Sequence, residues 1–171
     1  KEFSLLNKKS QLEVTTKIEK GELNASNFGF NLTNIFSKII YDNKTGFKDG
    51  YVSLKVNSTP IILDLDLENT GRGYSLFSSK NSFQIKNLFP IDLRDSISGT
   101  SSIAIQVAVP SFIRGQDIKK SYLEVSSNLF GTEINFPDPF FKSKEDSIDF
   151  NILFYPSYNK EYSRLQFKLG E

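Results

Sequence analysis

Period-two alternation of apolar and polar residues runs through most of the chain, and no other feature restricts the fold as strongly. Leu12, Val14 and Ile18 alternate with Glu13, Thr15, Lys17 and Glu19. Phe28, Phe30 and Leu32 form a second set, Val52, Leu54 and Val56 a third, and Leu63, Leu65 and Leu67 oppose Asp64, Asp66 and Glu68. The spacing returns in Ile103, Ile105, Val107 and Val109, in Ile148, Phe150, Ile152 and Phe154, and in Leu165, Phe167 and Leu169. Successive side chains of a strand point to opposite faces, so each segment is a strand with one apolar and one wet face. Turn formers punctuate the strands at Lys20-Gly21, Asp42–Gly46, Asp49-Gly50, Asn69-Thr70-Gly71, Ser98-Gly99 and Pro137-Asp138-Pro139. The best helical candidate is a short turn near Leu88–Asp95. The chain is all-β.

Strands with one apolar face suit a mostly antiparallel sheet that is covered on one side. Either two such sheets close as a β-sandwich, or one long, strongly curved sheet leaves an apolar groove inside. Alternation puts the same residues inside in both cases.

Residues 12–24 (LEVTTKIEKGELN) are echoed by residues 123–135 (LEVSSNLFGTEIN) without a gap. Leu12/Leu123, Glu13/Glu124, Val14/Val125, Glu22/Glu133 and Asn24/Asn135 are identical, and Ile18/Leu129 and Leu23/Ile134 are conservative. The echo predicts one strand–turn–strand unit written twice, as in a repetitive β architecture.

At 171 residues the chain is one β domain, residues 1–171. It has no Met, and the expectation is a piece of a larger protein. A net charge of +1 gives no reason to propose nucleic acid as a partner. The absence of His and Cys removes Ser–His–Asp triads, thiol nucleophiles, disulfides and the common zinc sites. Asp64, Asp66 and Glu68 share a strand face without the Gly-containing turn of a calcium loop or a glycosidase motif, and read as a solvated face. Gly71-Arg72-Gly73 reads as a turn, since no strand-then-helix context surrounds it. The Asn-X-Ser/Thr sequons at Asn24, Asn31, Asn43 and Asn57 carry no weight in a chain rich in those residues. Carboxylate, Lys, Tyr or Ser chemistry is what remains for catalysis, and no paired-carboxylate motif supports a hydrolase. The expectation is a protein that is not an enzyme and holds neither metal nor cofactor.

Residues 126–144, SSNLFGTEINFPDPFFKSK, follow the pattern Ser-x-Leu-x-Gly-x-x-Ile-x-Phe-Pro-x-Pro with Lys shortly after. This resembles a recurrent segment of the YhdP-type members of the AsmA-like family. Residues 17–47 and 88–109 resemble two further family segments in the same order. The chain departs from the family at Ser58-Thr59, where relatives carry Gly before the equivalent of Pro60, at Ser37, a frequent Gly position, and at Phe140-Phe141. The resemblance implies a segment of a periplasmic protein of Gram-negative bacteria, anchored in the inner membrane, whose long sheet curls into an apolar trough. It implies phospholipid acyl chains and adjoining segments of the parent chain as partners. The lining would be the alternating apolar residues above, with Leu123, Val125, Leu129 and Ile134 from the second copy and Phe136 just after it.

Overall fold

The computed structural model describes residues 11–25, 30–66, 74–88, 91–110, 120–157 and 162–170. Phe28, Leu67, Glu68 and residues 69–73 lie outside these, as does the side chain of Phe30. Strands run in chain order as β1 (Glu13–Ala25), β2 (Phe30–Asp42), β3 (Gly46–Val56), β4 (Thr59–Asp66), β5 (Tyr74–Phe83), β6 (Ile97–Gly99) and β7 (Ser101–Pro110). They continue as β8 (Tyr122–Ser127), β9 (Thr132–Ile134), β10 (Phe150–Tyr155) and β11 (Arg164–Leu169). Two 3-10 helices form at Ile85–Leu88 and Ile91–Ser96, and the second overlaps the helical turn expected near Leu88–Asp95.

Among the described residues, nine strands form one antiparallel sheet in the order β1-β2-β3-β4-β5-β7-β8-β10-β11, and β6 and β9 pair separately. Each strand of the large sheet lies beside its nearest sheet neighbour in sequence, as short connections favour. The ladder turns alternation into faces. Lys17, Lys38, Tyr51, Asp64, Ser78, Gln106, Glu124, Leu153 and Gln166 stand side by side in one row across all nine strands. On the opposite face Leu65, Phe77, Val107, Leu123, Phe154 and Leu165 form a row, and Ile105, Val125, Ile152 and Phe167 form the next.

The structure departs from the expected turns at three places, one of them Ser98-Gly99, which lies in β6. Lys20-Gly21 is no turn: β1 runs through it, with Lys20 at φ 59° and a break in register on either side of Gly21. Asn34 in β2, at φ 50°, makes the matching irregularity opposite. Each bulge adds a residue and reverses the parity of its strand, so Leu23 and Leu32 join the face that carries Ile18 and Val52. Asp49-Gly50 likewise lies inside β3. A Cβ on Gly50 would stand 3.1 Å from Phe77 Cε1, so the missing side chain leaves room for a ring on β5, with β4 between them.

The two copies of the sequence echo therefore fold differently. Residues 12–24 make one bulged strand, whereas 123–135 leave the sheet after β8, reverse through Asn128–Gly131 and enter β9. Both copies still use a left-handed residue at the equivalent position, Lys20 and Gly131.

The chain leaves the sheet between β5 and β7 and again between β8 and β10, both times from the end where Phe83 faces Ser101 and Ser127 faces Phe150. The two excursions meet as the β6–β9 ribbon, pairing Ile97 with Ile134, Ser98 with Glu133 and Gly99 with Thr132. Two of the segments that carry the family resemblance are thus hydrogen-bonded to each other. Gly99 (φ 89°) and Gly131 (φ 85°) cross back to back, and a Cβ on Gly99 would collide with the Gly131 carbonyl. The Ser101 hydroxyl donates to the Phe130 carbonyl at 2.8 Å and contacts the buried Thr132 hydroxyl, tying the ribbon to β7.

Gly99→Ala is expected to lower stability by more than ~2 kcal/mol in urea melts, because backbone must move and φ is left-handed. Ser58→Gly is expected to do the reverse. Asn57 (φ 46°) and Ser58 (φ 75°) both adopt the left-handed conformations of the tight β3–β4 hairpin, which favour Gly. The same melts should show a gain of ~0.5 kcal/mol.

Candidate functional site

The apolar face of the sheet is buried at its centre and open at its margins. Ile61, Leu63, Phe77, Ile103, Ile105 and Phe150 are buried there, with Ile85, Ile97 and Leu129 of the covering excursions packed onto them. Val52, Leu54, Val56, Leu65, Val107, Val109, Leu123, Val125 and Ile152 pack around that core partly exposed. Leu32, Ile148 and Phe154 are half-buried. At the edges the burial ends: Leu12, Val14 and Ile18 beside β2, and Leu165, Phe167 and Leu169 on β11, are exposed. Ile18 exposes 45% of its surface and Phe167 60%, although both continue the apolar face. Large adjoining apolar side chains in water mark a surface that meets something.

Leu129, Ile134 and Phe136 were grouped by sequence with the sheet lining, and the structure places them on the other side of the interior. Leu129 lies in the turn before β9, Ile134 ends β9, and Phe136 follows it. They face the sheet across an apolar cavity of about 250 Å³. Its walls are Ile85, Ile97, Leu129 and Ile134 from the excursions, Phe136 and Phe140 from the loop after β9, and Phe150, Phe167 and Leu169 from β10 and β11. Every lining residue is apolar.

The loop that closes this cavity is pinned at its base. Ile134 and Lys142 exchange backbone hydrogen bonds, each of 2.9 Å. The Lys142 ammonium is buried and donates to the carbonyls of Thr132 at 2.7 Å and Ser143 at 2.8 Å. Burial pushes Lys142 below the ordinary lysine pKa, and the charges of Asp146 and Glu145 oppose that shift. Its role is structural: it satisfies carbonyls that the ribbon leaves inside.

The other face is wet. Asp64 is exposed and Asp66 half-buried on it, as a solvated strand face requires. Among the described residues no group of three or more His, Cys, Asp or Glu is placed to hold a metal ion. At the end of the sheet away from the ribbon, Tyr74, Tyr122 and Tyr155 form a ring chain with centroids 5.6 and 6.1 Å apart, beside the fully buried Ala108. Asp42, also fully buried, organises the β2–β3 turn. It accepts from Gln11 Nε2 at 2.6 Å and from the backbone N–H groups of Lys44 at 2.8 Å and Thr45 at 3.0 Å, and Lys48 Nζ stands 3.1 Å away. The Gln11 bond most of all, then these others, hold its carboxyl far below the usual carboxylate range against the opposing effect of burial.

Sequence reasoning missed Ile61, Phe77, Ile85 and Ile97, all buried in the core. Phe77 stands on β5 between Ser75 and Ser79, which point the same way and are buried, so no alternation announces it. Ile85 and Ile97 sit in elements too short to show a period. Ile61 shared the spacing of Leu63 and Leu65, which was signal enough to find it.

No family model, no curated protein and no solved structure matches this chain. Residues and geometry alone therefore bear on its function.

The pKa of Asp42 is lowered on folding, so its contribution to stability is complete above the unfolded carboxylate value near 4 and is lost as pH falls below it. Urea melts from pH 7 to pH 2 are expected to show a stability difference between the native chain and Asp42→Asn that shrinks below about pH 4.

Proposed function

We propose that this chain is a non-enzymatic segment of a lipid-transfer conduit, shielding phospholipid acyl chains between the inner and outer membranes of a Gram-negative envelope. The observation that carries this is the apolar face that continues to both edge strands, where Ile18 and Leu165 remain exposed. The resemblance of residues 17–47, 88–109 and 126–144 to YhdP-type proteins supports it. In this reading the sheet curves into a trough with its apolar face concave. The reach of Phe77 over Gly50 from two strands away favours curvature of that sense. The parent chain is anchored in the inner membrane, and its adjoining segments extend the sheet through the periplasm.

The physical need is plain. Exposing a sixteen-carbon acyl chain to water costs on the order of 12 kcal/mol, at about 0.8 kcal/mol per methylene. A continuous apolar track removes most of that barrier while the headgroup stays wet, and no catalytic group takes part. Leu65, Val107, Leu123, Phe154 and Leu165, in one row with the buried Phe77, form such a track, running across the strands near the end of the sheet opposite the ribbon. A sealed sandwich that serves as a binding module is the rival, and it requires this row to be covered.

Photo-crosslinking in intact cells separates the two. Probes at Val107 and Leu165 are expected to capture phospholipid, and probes at the opposite-face positions Gln106 and Gln166 are not. Equal capture from both faces, or none from either, refutes the conduit.

A further inference from the structure

The cavity beneath the loop after β9 has properties that the open track lacks. It is a half-open pocket walled by three separate parts of the chain: the ribbon and 3-10 helix above, β10 and β11 below, and residues 135–141 at the side. Its volume is about 250 Å³, against ~150 Å³ for an apolar cavity that holds one benzene. That is too little for a two-chain lipid and enough for the end of one chain.

The lining also selects by chemistry. Ile97, Ile134, Phe136, Phe150, Phe167 and Leu169 offer no hydrogen-bonding side chain. A peptide segment entering there would carry N–H and C=O groups without partners, each leaving a desolvation cost of about 1–3 kcal/mol. Water gains nothing in an apolar space of this kind. An unbranched hydrocarbon brings only surface that the cavity can bury.

The side wall is anchored at its base. Its base is held by the paired Ile134–Lys142 backbone bonds, the buried Lys142 ammonium and the Asn135 N–H donating to the Ser96 carbonyl at 2.8 Å. Beyond that base, among the described residues, the only backbone hydrogen bond of 136–141 is internal, from the Phe140 N–H to the Pro137 carbonyl. Among the described residues no hydrogen bond ties this wall to the sheet, and Phe140 at its lip is 63% exposed while lining the cavity.

We infer that this cavity takes the terminal part of a single unbranched acyl chain, admitted past Phe140 between β11 and the loop of residues 135–141, which serves as a movable wall. The inference rests on the lipid-shielding function proposed above and adds a site that holds one chain end aside from the track. Such a site would retain a lipid on the segment while its second chain remains on the open face.

The chain contains no Trp, so one introduced at the lip is a clean reporter. Phe140→Trp, at a largely exposed position, is titrated with ω-bromodecanoate below its micellar concentration. Tyr122→Trp, on the opposite face, is titrated in parallel. Saturable quenching of the Phe140→Trp signal is expected, at least twofold deeper than for Tyr122→Trp. Adding Ile134→Phe, which fills the cavity, should abolish it while circular dichroism shows the fold intact. Absent quenching, equal quenching at the two positions, or quenching unchanged by the filled cavity overturns the site. Should the Ile134→Phe chain misfold, Leu169→Phe fills the same space from β11 and is judged by the same criterion. Crosslinking from Val107 and Leu165 is independent of this result: lipid on the track with no quenching refutes the cavity alone, and quenching without lipid on the track refutes the conduit alone.

Discussion

A wide sheet with one apolar face must hide that face, and this chain hides only the middle of it. The cover is a ribbon of two three-residue strands with a short 3-10 helix, much smaller than the nine-stranded sheet beneath. The ribbon exists because Gly99 and Gly131 let two backbones cross where no side chain fits. Ile97 and Leu129 can then pack onto Ile103 and Phe150, and the centre becomes a core. What the ribbon does not reach, the edge strands and the partly exposed Leu65, Val107, Leu123, Phe154 and Leu165, is left for another partner. The proposed function and the proposed chain-end site both derive from this shortfall in cover.

Much of the sheet was legible because hydrophobic burial on one face writes itself directly into a period of two. β3, β4, β7, β10 and β11 carry apolar residues where the ladder places them inward. β5 was not legible, since Ser75 and Ser79 point inward with Phe77 and break the signal. In β1 and β2 the bulges at Lys20 and Asn34 shift the period partway along the strand, and a fixed alternation cannot follow them. Glycine was ambiguous for a similar reason: Gly50 serves close packing inside a strand, whereas Gly46 and Gly99 serve left-handed geometry at strand ends. The local sequence around each looks alike.

The candidate site was half legible. Phe150 and Phe167 were assigned to the lining from their own strands, and Leu129 and Ile134 from the second copy of the echo, with Phe136 just after it. That the second group faces the first across a cavity depends on a long-range pairing, Ile97 with Ile134, which no local pattern encodes. The echo itself is informative in a different way than its sequence implied. One copy takes up its left-handed residue as a bulge and stays in the sheet. The other uses it to turn out and form the cover.

Native mass spectrometry of the chain, purified from a Gram-negative host without detergent, tests the central claim most directly. A sheet whose apolar face shields acyl chains predicts bound species at phospholipid masses, displaced when Val107 and Leu165 are both changed to Asp on a chain that remains folded. A chain that carries no lipid while Ile18 and Phe167 are protected from solvent labelling would show the face sealed by protein, and would contradict the conduit.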